Sequence, residues 1–204
     1  MKNESIKIAL GVALIASAMI WVFERRKKSS SSDTPTLLTS NNALYMDTQH
    51  NPLLPLGYRN NNPTNIRVPK YGSNNWKGKT TPATEKQHEH FCDMVHGYRA
   101  ALVLLRGDGY INKGINTIRK IITKWAPPED KNHTANYIAD VSKITGIDPD
   151  AVIKRTDKDA LSKIVYAMSI CENGTKDYAE PANDIKETYG LPSWEMIEEA
   201  WKII

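Results

Sequence analysis

The stretch GYRNNNPTNIR, residues 57–67, decides how the rest of this chain is interpreted. Four asparagines, one proline and two arginines fall within the nine positions from Arg59 to Arg67. Asparagine side chains form turns with their own backbone and Pro63 fixes one dihedral angle, so this polar run can hold a defined shape without a core of its own. Amide groups donate and accept hydrogen bonds, which suits hydroxyl-rich sugars, although Asn-rich segments also occur as plain loops.

The composition limits the class of protein. With 204 residues the chain has room for one domain and an appendage. Its net charge of +4 is too mild to indicate a nucleic-acid partner. Cys92 and Cys171 are the only cysteines, which excludes a disulfide framework and a Cys-rich metal site.

The N-terminal part predicts a membrane anchor. Ile8–Phe23 is an uninterrupted uncharged run that as a helix spans about 24 Å, slightly short of the ~30 Å hydrocarbon core. A cleaved signal peptide is the rival interpretation, but the charges come mostly after the run and Glu24-Arg25-Arg26-Lys27-Lys28 does not resemble a cleavage site. We therefore expect an uncleaved single-pass helix. The positive-inside rule then places the C-terminal domain in the cytoplasm or inside a membrane-containing particle.

The sequence divides into three predicted regions. Residues 1–28 are expected to form the anchor with its basic flank, residues 29–56 a flexible Ser-rich linker, and residues 57–204 the globular domain. Two short strands are predicted at Asn65–Val68 and Phe91–Met94, where apolar and polar residues alternate. The remainder has helical periodicity. The predicted fold class is therefore a mostly α domain with a small β element near its start.

Several boundaries of the helices are also predicted. Pro127-Pro128 ends the helix that contains Trp125, and Gly146 ends the next one. Asp148-Pro149 is expected to open a short helix, as a cap followed by a first-turn proline. Asp157 should cap a longer helix that Gly174 closes.

Glu172 is the residue whose position suggests chemistry. It follows Leu161 by eleven positions and Val165 by seven, so in a helix it projects from the apolar stripe. It also lies in the last turn before Gly174, where unpaired carbonyls form a negative helix end. Both effects raise the pKa of the carboxyl, and a protonated carboxyl can serve as the general acid of glycosidic cleavage. The alternative is that the helix frays at Ser169 and Glu172 faces solvent.

The other titratable residues give weaker indications. His88 and His90 share a face in an extended chain, but no third ligand is placed beside them, and no metal site is expected. Glu85 and Glu89 occur in the same segment. The acidic pair Glu129-Asp130 follows two prolines and is expected in the approach loop of the next helix, near its positive N-terminal end.

Six groups of residues, taken in order, carry a resemblance. They are Arg59–Arg67; Trp76-Lys77-Gly78; Phe91 with Gly97–Ala100; Asn116-Thr117-Ile118 with Ile121-Ile122; Trp125–Pro128 with Tyr137-Ile138; and Glu172-Asn173-Gly174 with Tyr178. This order resembles the phage and prophage virion-associated proteins of the "RNNNPGNIR" type, which are described as structural proteins with a lysozyme-like, peptidoglycan-degrading domain. The match covers about Tyr58 to Tyr178.

The resemblance implies an α-rich, lysozyme-like fold that cuts the glycan strand, with Glu172 as the catalytic acid. It implies substrate-binding residues that line or brace the site, or that pack or stack on sugar: Asn61, Asn62, Asn65, Arg67, Trp76, Tyr98 and Asn173. Two departures from the family pattern matter. The family usually has glycine where this chain has Thr64, so the turn must be made differently. Many lysozyme-like enzymes also carry an early glutamate, and this chain has none between Glu24 and Glu85.

Two functions are therefore expected. The first is a membrane-anchored peptidoglycan hydrolase, either a muramidase or a lytic transglycosylase, in the internal membrane of a virion or the host inner membrane. A lone acid suits the transglycosylase route, because that route needs no second carboxylate to activate water. The second is a non-catalytic structural membrane protein of the particle that binds glycan or capsid. The expected partners are the glycan strand, lipid and other virion proteins but no nucleic acid, and no cofactor is expected.

Overall fold

The computed structural model of the chain describes residues 54–70, 74–81, 85–174, 186 and 190–204. They belong to the second of two compact units into which the chain divides, Ser40–Ile204. Among these residues the structure is mostly helical. The helices are α1 (Leu56–Arg59), α2 (Met94–Arg106), α3 (Ile118–Trp125), α4 (Thr134–Thr145), α5 (Lys158–Asn173) and α6 (Trp194–Lys202), with short 3-10 helices at Ile111–Lys113 and Pro128–Asp130.

A two-stranded antiparallel sheet precedes α2. It consists of β1 (Lys79–Thr80) and β2 (His90–Phe91), with Lys79 opposite Phe91 and Thr80 opposite His90. The first predicted strand, Asn65–Val68, contributes only an isolated bridge between Arg67 and His88. Of the second predicted strand, Phe91–Met94, only Phe91 lies in β2. Asp93 already caps α2 by accepting a hydrogen bond from the His96 amide, and Met94 is the first residue of that helix.

Helix α5 forms the centre of the domain. It contacts α1, α2, α4 and α6, and its side chains Leu161, Ile164, Val165 and Met168 are fully buried. Each such side chain contributes about 1.5–3 kcal/mol relative to an exposed one. Because α5 is held from several sides, its C-terminal turn has a fixed position relative to the Asn-rich segment and to α3 and α4.

The local signals at the ends of α5 are confirmed. The Asp157 carboxylate accepts a hydrogen bond from the Ala160 amide at 3.0 Å, and Gly174 is the C-cap. Gly146 ends α4 in the left-handed conformation, as predicted. The short helix predicted at Asp148-Pro149 is wrong. Its place is taken by a turn in which the Asp148 carboxylate accepts from the Asp150 amide at 2.8 Å, because Asp competes with helical hydrogen bonding by bonding to its own backbone.

The predicted membrane anchor is corrected. Within the part of the chain that the structure describes, no helix is both long and apolar enough to cross a lipid bilayer. A single-pass N-terminal helix, and the membrane localisation inferred from it, are therefore not supported, and the observed fold class is a mostly helical domain. The uncharged run was already short, at about 24 Å against a hydrocarbon core of about 30 Å. Residues 1–28 lie outside the described residues, as does most of the predicted linker, 29–56.

The Asn-rich segment forms a compact turn between α1 and the sheet. Asn61 and Asn65 have positive φ values of 51° and 52°, which asparagine tolerates better than most residues. Thr64 is not among the described residues with positive φ. The missing glycine at this position therefore causes no backbone strain, because the left-handed positions are occupied by asparagine instead.

Candidate active site

Glu172 lies in the last turn of α5 with its carboxylate directed inward. Its Oε1 accepts hydrogen bonds from the Tyr137 hydroxyl at 2.9 Å and from Trp125 Nε1 at 3.1 Å. Its Oε2 accepts one from Asn65 Nδ2 at 3.1 Å. The helix does not fray before this residue, since α5 continues to Asn173. Three segments that are distant in the sequence, the Asn-rich turn, α3 and α4, thus each supply one donor.

The surroundings of this carboxyl shift its protonation. Burial raises the pKa of Glu172, while the hydrogen bonds from Asn65, Tyr137 and Trp125 and the nearby charge of His88 lower it, and the net shift is upward. Burial and the adjacent Glu172 raise the pKa of Tyr137 well above 10. The Tyr137 hydroxyl is therefore protonated at neutral pH and donates to Glu172.

Two cavities meet at Glu172. One has a volume of about 400 Å³ and the other about 410 Å³, and Glu172, Ala126 and Asn132 line both. Volumes in the range of about 300–1,000 Å³ are typical of small-molecule sites. The carboxyl thus lies where a chain-like ligand that occupies both cavities would cross from one to the other.

The first cavity combines aromatic and cationic groups. The rings of Tyr110 and Trp125 lie 6.1 Å apart at 45°, and the Lys124 ammonium is 4.7 Å from the centre of the Tyr110 ring. Arg67 and His88 also line this cavity. Aromatic surfaces with a few polar groups are the usual lining of a site that binds an amphipathic ligand.

The second cavity is more polar. Its lining includes Lys131, His133, Asn136 and Tyr137. These groups offer amide, hydroxyl and cationic donors next to the same carboxyl. The two cavities therefore differ in character on either side of Glu172.

Two of the residues predicted to bind substrate lie at this site. Asn65 donates to the Glu172 carboxylate and lines the first cavity together with Arg67. The Arg67 side chain is 73% exposed and forms an ion pair with Asp130 at 3.7 Å. The structure thus brings Glu172, Asn65 and Arg67 together, and their roles in binding stay predictions.

Asn61 and Asn62 brace the wall of the site. The Asn62 side chain is fully buried; its Nδ2 donates to the carbonyls of Ile66 and Glu89, and its Oδ1 accepts from the Ile66 amide, all at 2.9 Å. Asn61 donates to the Phe91 carbonyl at 3.2 Å. Neither lines the two cavities beside Glu172, so of the two roles predicted for them, lining and bracing, their position fits bracing.

Asn173 and Tyr98 are also buried, and Trp76 is half-buried. Asn173 donates to the Pro63 carbonyl at 2.6 Å, which ties the end of α5 to the Asn-rich turn. Tyr98 is fully buried, and its hydroxyl shares a hydrogen bond with Ser169 Oγ at 3.4 Å. Trp76 packs against the core. These three residues do not line the cavities next to Glu172, and a sugar could not stack on Tyr98 without unfolding the domain.

The bracing role of Asn62 leads to a prediction about stability. Asn62→Ala is expected to lower the free energy of unfolding by about 2–3 kcal/mol. The Ile66 amide and the Glu89 carbonyl each lose the Asn62 side chain as a partner, while the Ile66 carbonyl keeps the Glu89 amide. The measurement is urea denaturation, and Asn112→Ala is the matched control, since Asn112 is exposed and its side-chain amide donates to the exposed Asp108 carboxylate. Equal stability of the two variants would contradict the bracing role.

Sequence reasoning missed the donors that surround Glu172. In the sequence Trp125 and Tyr137 stand out only as members of helical stripes and of the residues that carry the resemblance. Their amphipathic character was the available signal, because a buried Trp or Tyr needs a partner for its N–H or O–H. The partner itself lies 47 residues from Trp125 and 35 from Tyr137 along the chain, which no local pattern reveals.

Metal-ligand residue types approach one another at one place in the described part of the chain. The candidate ligand atoms of Cys92, Asp93 and His96 all lie within 4.8 Å of one another. Asp93 is at the same time the N-cap of α2 and bonds the His96 ring at 2.9 Å, which accounts for the group without an ion. His88 and His90 both pair with Glu85, at 3.5 and 3.3 Å.

Comparison with known proteins assigns a family. No protein-family model matches the chain. It is 35% identical over 122 residues to a protein named Protein P5 of Pseudoalteromonas phage PM2, an alignment that spans 60% of this chain and 73% of that protein. The expected phage association is thereby confirmed. The chain belongs to the family of the phage PM2 Protein P5.

Proposed function

We propose that this phage protein acts in the virion as a glycosidase that cleaves the glycan strand of peptidoglycan, with Glu172 as the general acid. The observation that carries the proposal is the position of the Glu172 carboxyl, part-buried and held by three donors where two cavities meet. A sugar in each cavity would place the bond between them beside this carboxyl. The lysozyme-like character of the domain is part of the proposal.

The hydrogen bonds indicate which oxygen carries the proton. Oε1 already accepts from Trp125 and Tyr137, whereas Oε2 accepts only from Asn65. The neutral acid therefore holds its proton on Oε2 and can give it to a glycosidic oxygen. As the C1–O bond breaks, the ring develops oxocarbenium character. The carboxylate left behind is stabilised by the same three donors, which are in place before the reaction.

The second candidate is a non-catalytic domain that binds glycan or another virion protein. The observation that favours it is the saturation of the carboxylate, since three donors also satisfy a purely structural buried acid. Digestion of purified peptidoglycan by the full chain separates the two. Release of soluble fragments that depends on Glu172 supports catalysis, whereas binding to the sacculus without release, in wild type and Glu172→Gln alike, supports the structural role.

The pH dependence of cleavage is predicted from the same site. The active form of Glu172 is protonated, so activity should fall as pH rises through its pKa, which lies above the 4.5 of an ordinary glutamate. Tyr137→Phe removes a donor that favours the ionised form, and it should move this fall to higher pH. The measurement is the initial rate of peptidoglycan digestion from pH 4 to 9.

Tyr166→Phe is the control for that experiment, because the Tyr166 ring packs on Trp194. Its profile should coincide with that of wild type. A profile with no fall at high pH, or a fall that Tyr137→Phe moves to lower pH, would contradict the assignment of Glu172 as the acid.

A further inference from the structure

The first cavity contains a second carboxylate. Asp130, the last residue of the 3-10 helix Pro128–Asp130, lines this cavity together with Glu172. It comes from the acidic pair after the two prolines. It forms an ion pair at 3.7 Å with Arg67, which lines the same cavity.

The backbone around Asp130 is held in place. Its amide donates to the Pro127 carbonyl at 3.1 Å, and the same carbonyl accepts from Asn132 Nδ2 at 3.0 Å. Lys131 then turns the chain with a positive φ of 63°. Asp130 therefore projects from a tight turn whose backbone is held by hydrogen bonds. This fixes the point from which its side chain reaches into the cavity.

The Asp130 carboxylate is available to water. Its side chain is 52% exposed, and the 3.7 Å separation from Arg67 is too long for a hydrogen bond. Within the described part of the chain no group donates a hydrogen bond to it, whereas Glu172 accepts three. The two carboxylates of one cavity thus differ: Glu172 is held by protein donors, and Asp130 is open to water. Such a difference is expected when one carboxyl group serves as an acid and the other as a base.

We propose that Asp130 is the general base that activates the attacking water, so that the protein hydrolyses the glycan strand and is not a lytic transglycosylase. This inference rests on the proposed function of Glu172. The two carboxyl groups line one cavity of about 400 Å³, and inverting glycosidases place a water molecule between two carboxyl groups about 6.5–9.5 Å apart.

Hydrolysis at this site transfers one proton from Glu172 and one proton to Asp130. Glu172 gives its proton to the glycosidic oxygen and the C1–O bond breaks; Asp130 takes a proton from a water molecule whose oxygen bonds to C1. The products are two chains, one with a free hydroxyl and one with a reducing end. Glu172 is left ionised and Asp130 protonated, and exchange with solvent restores both. The Arg67 guanidinium, 3.7 Å from Asp130, lies beside the carboxylate that takes the proton.

A transglycosylase would give a different product. In that route a hydroxyl of the same sugar closes on C1, the end is an anhydro-sugar, and no base is required to activate water. The two kinds of end differ in mass by one water. The nature of the ends and their dependence on Asp130 therefore decide between the routes.

The test uses the full-length wild type, Asp130→Asn, Asp130→Ala, Glu172→Gln and the control Asp150→Asn. Asp150 matches Asp130 because it is also an exposed Asp paired with an Arg, Arg119, but it lines neither cavity. We expect reducing ends from wild type, a rate about 100-fold lower for Asp130→Asn, and wild-type behaviour for Asp150→Asn. Azide, which needs no base, should restore bond cleavage by Asp130→Ala and form a glycosyl azide.

The outcomes separate the two proposals. Anhydro ends from wild type, or reducing ends produced at the wild-type rate by Asp130→Asn, would overturn the role of Asp130 and leave that of Glu172 standing. Absence of cleavage by folded wild type would overturn both. Thermal melting of each variant shows that it is folded, so a lost activity reports on chemistry.

Discussion

Replacing Glu172 by glutamine is expected to lower the rate of glycan cleavage by about 10²–10⁴-fold. Glutamine has nearly the same shape, but it cannot donate a proton to the leaving oxygen. Its amide oxygen can keep the hydrogen bonds from Trp125 and Tyr137. Its amide nitrogen would face Asn65, whose Oδ1 has no hydrogen-bond partner among the described residues and can accept that bond after a flip of the amide. Binding and folding should therefore survive while catalysis is lost.

The stability of this variant provides an independent readout. Because the folded-state pKa of Glu172 is raised, its contribution to stability is greatest below the pKa of the unfolded chain and declines as pH rises towards the folded pKa. Glutamine has no such dependence. At neutral pH Glu172→Gln should therefore melt no lower than wild type, and its advantage should shrink as pH falls to about 4.

Glu129→Gln is the matched control, since Glu129 is exposed and lines neither cavity. It should keep wild-type activity. Equal activity of Glu172→Gln and wild type would remove Glu172 from the mechanism. Loss of activity together with a large drop in melting temperature would mean that Glu172 acts through the fold and not through proton transfer.

The largest effect on stability is expected from Gly97→Ala. A Cβ atom at Gly97 would lie 2.0 Å from the Asn61 carbonyl oxygen and 2.7 Å from Pro63 Cδ. An alanine inside an ordinary helix is more stable than a glycine by about 0.5–1 kcal/mol. Here the sign reverses, because α2 and the Asn-rich turn must separate, and we expect a loss of about 3 kcal/mol or more in the free energy of unfolding.

Gly109→Ala is the control, because a Cβ there meets only Leu104 Cδ1, at the ordinary contact distance of 3.9 Å. Urea denaturation of both variants gives the comparison. At a low temperature, where Gly97→Ala is still folded, we also expect it to cleave glycan more slowly than wild type. The reason is that a shift of the Asn-rich turn displaces Asn65 from the Glu172 carboxylate. If Gly97→Ala were as stable as Gly109→Ala, the close contact between α2 and the turn would be wrong.

The correct predictions of helix ends depend on local chemistry. Capping by Asp157 and termination at Gly146 and Gly174 are settled within one turn of a helix, and the sequence determined them by itself. The helical angle of Glu172 relative to Leu161 is likewise a local property, so its inward direction follows from α5 alone. Its proposed role as an acid is a further step, which the digestion experiments address.

Only the tertiary structure decided which groups meet the Glu172 carboxyl. Asn65 looked the same in sequence as Asn62, yet Asn65 reaches Glu172 while Asn62 bonds to the backbone of its own turn and of the neighbouring segment. The physical reason is that burial and hydrogen-bond partners depend on the packing of α5 against the turn, α3 and α4. Single-sequence patterns record which residues share one helical face, but not which faces come together.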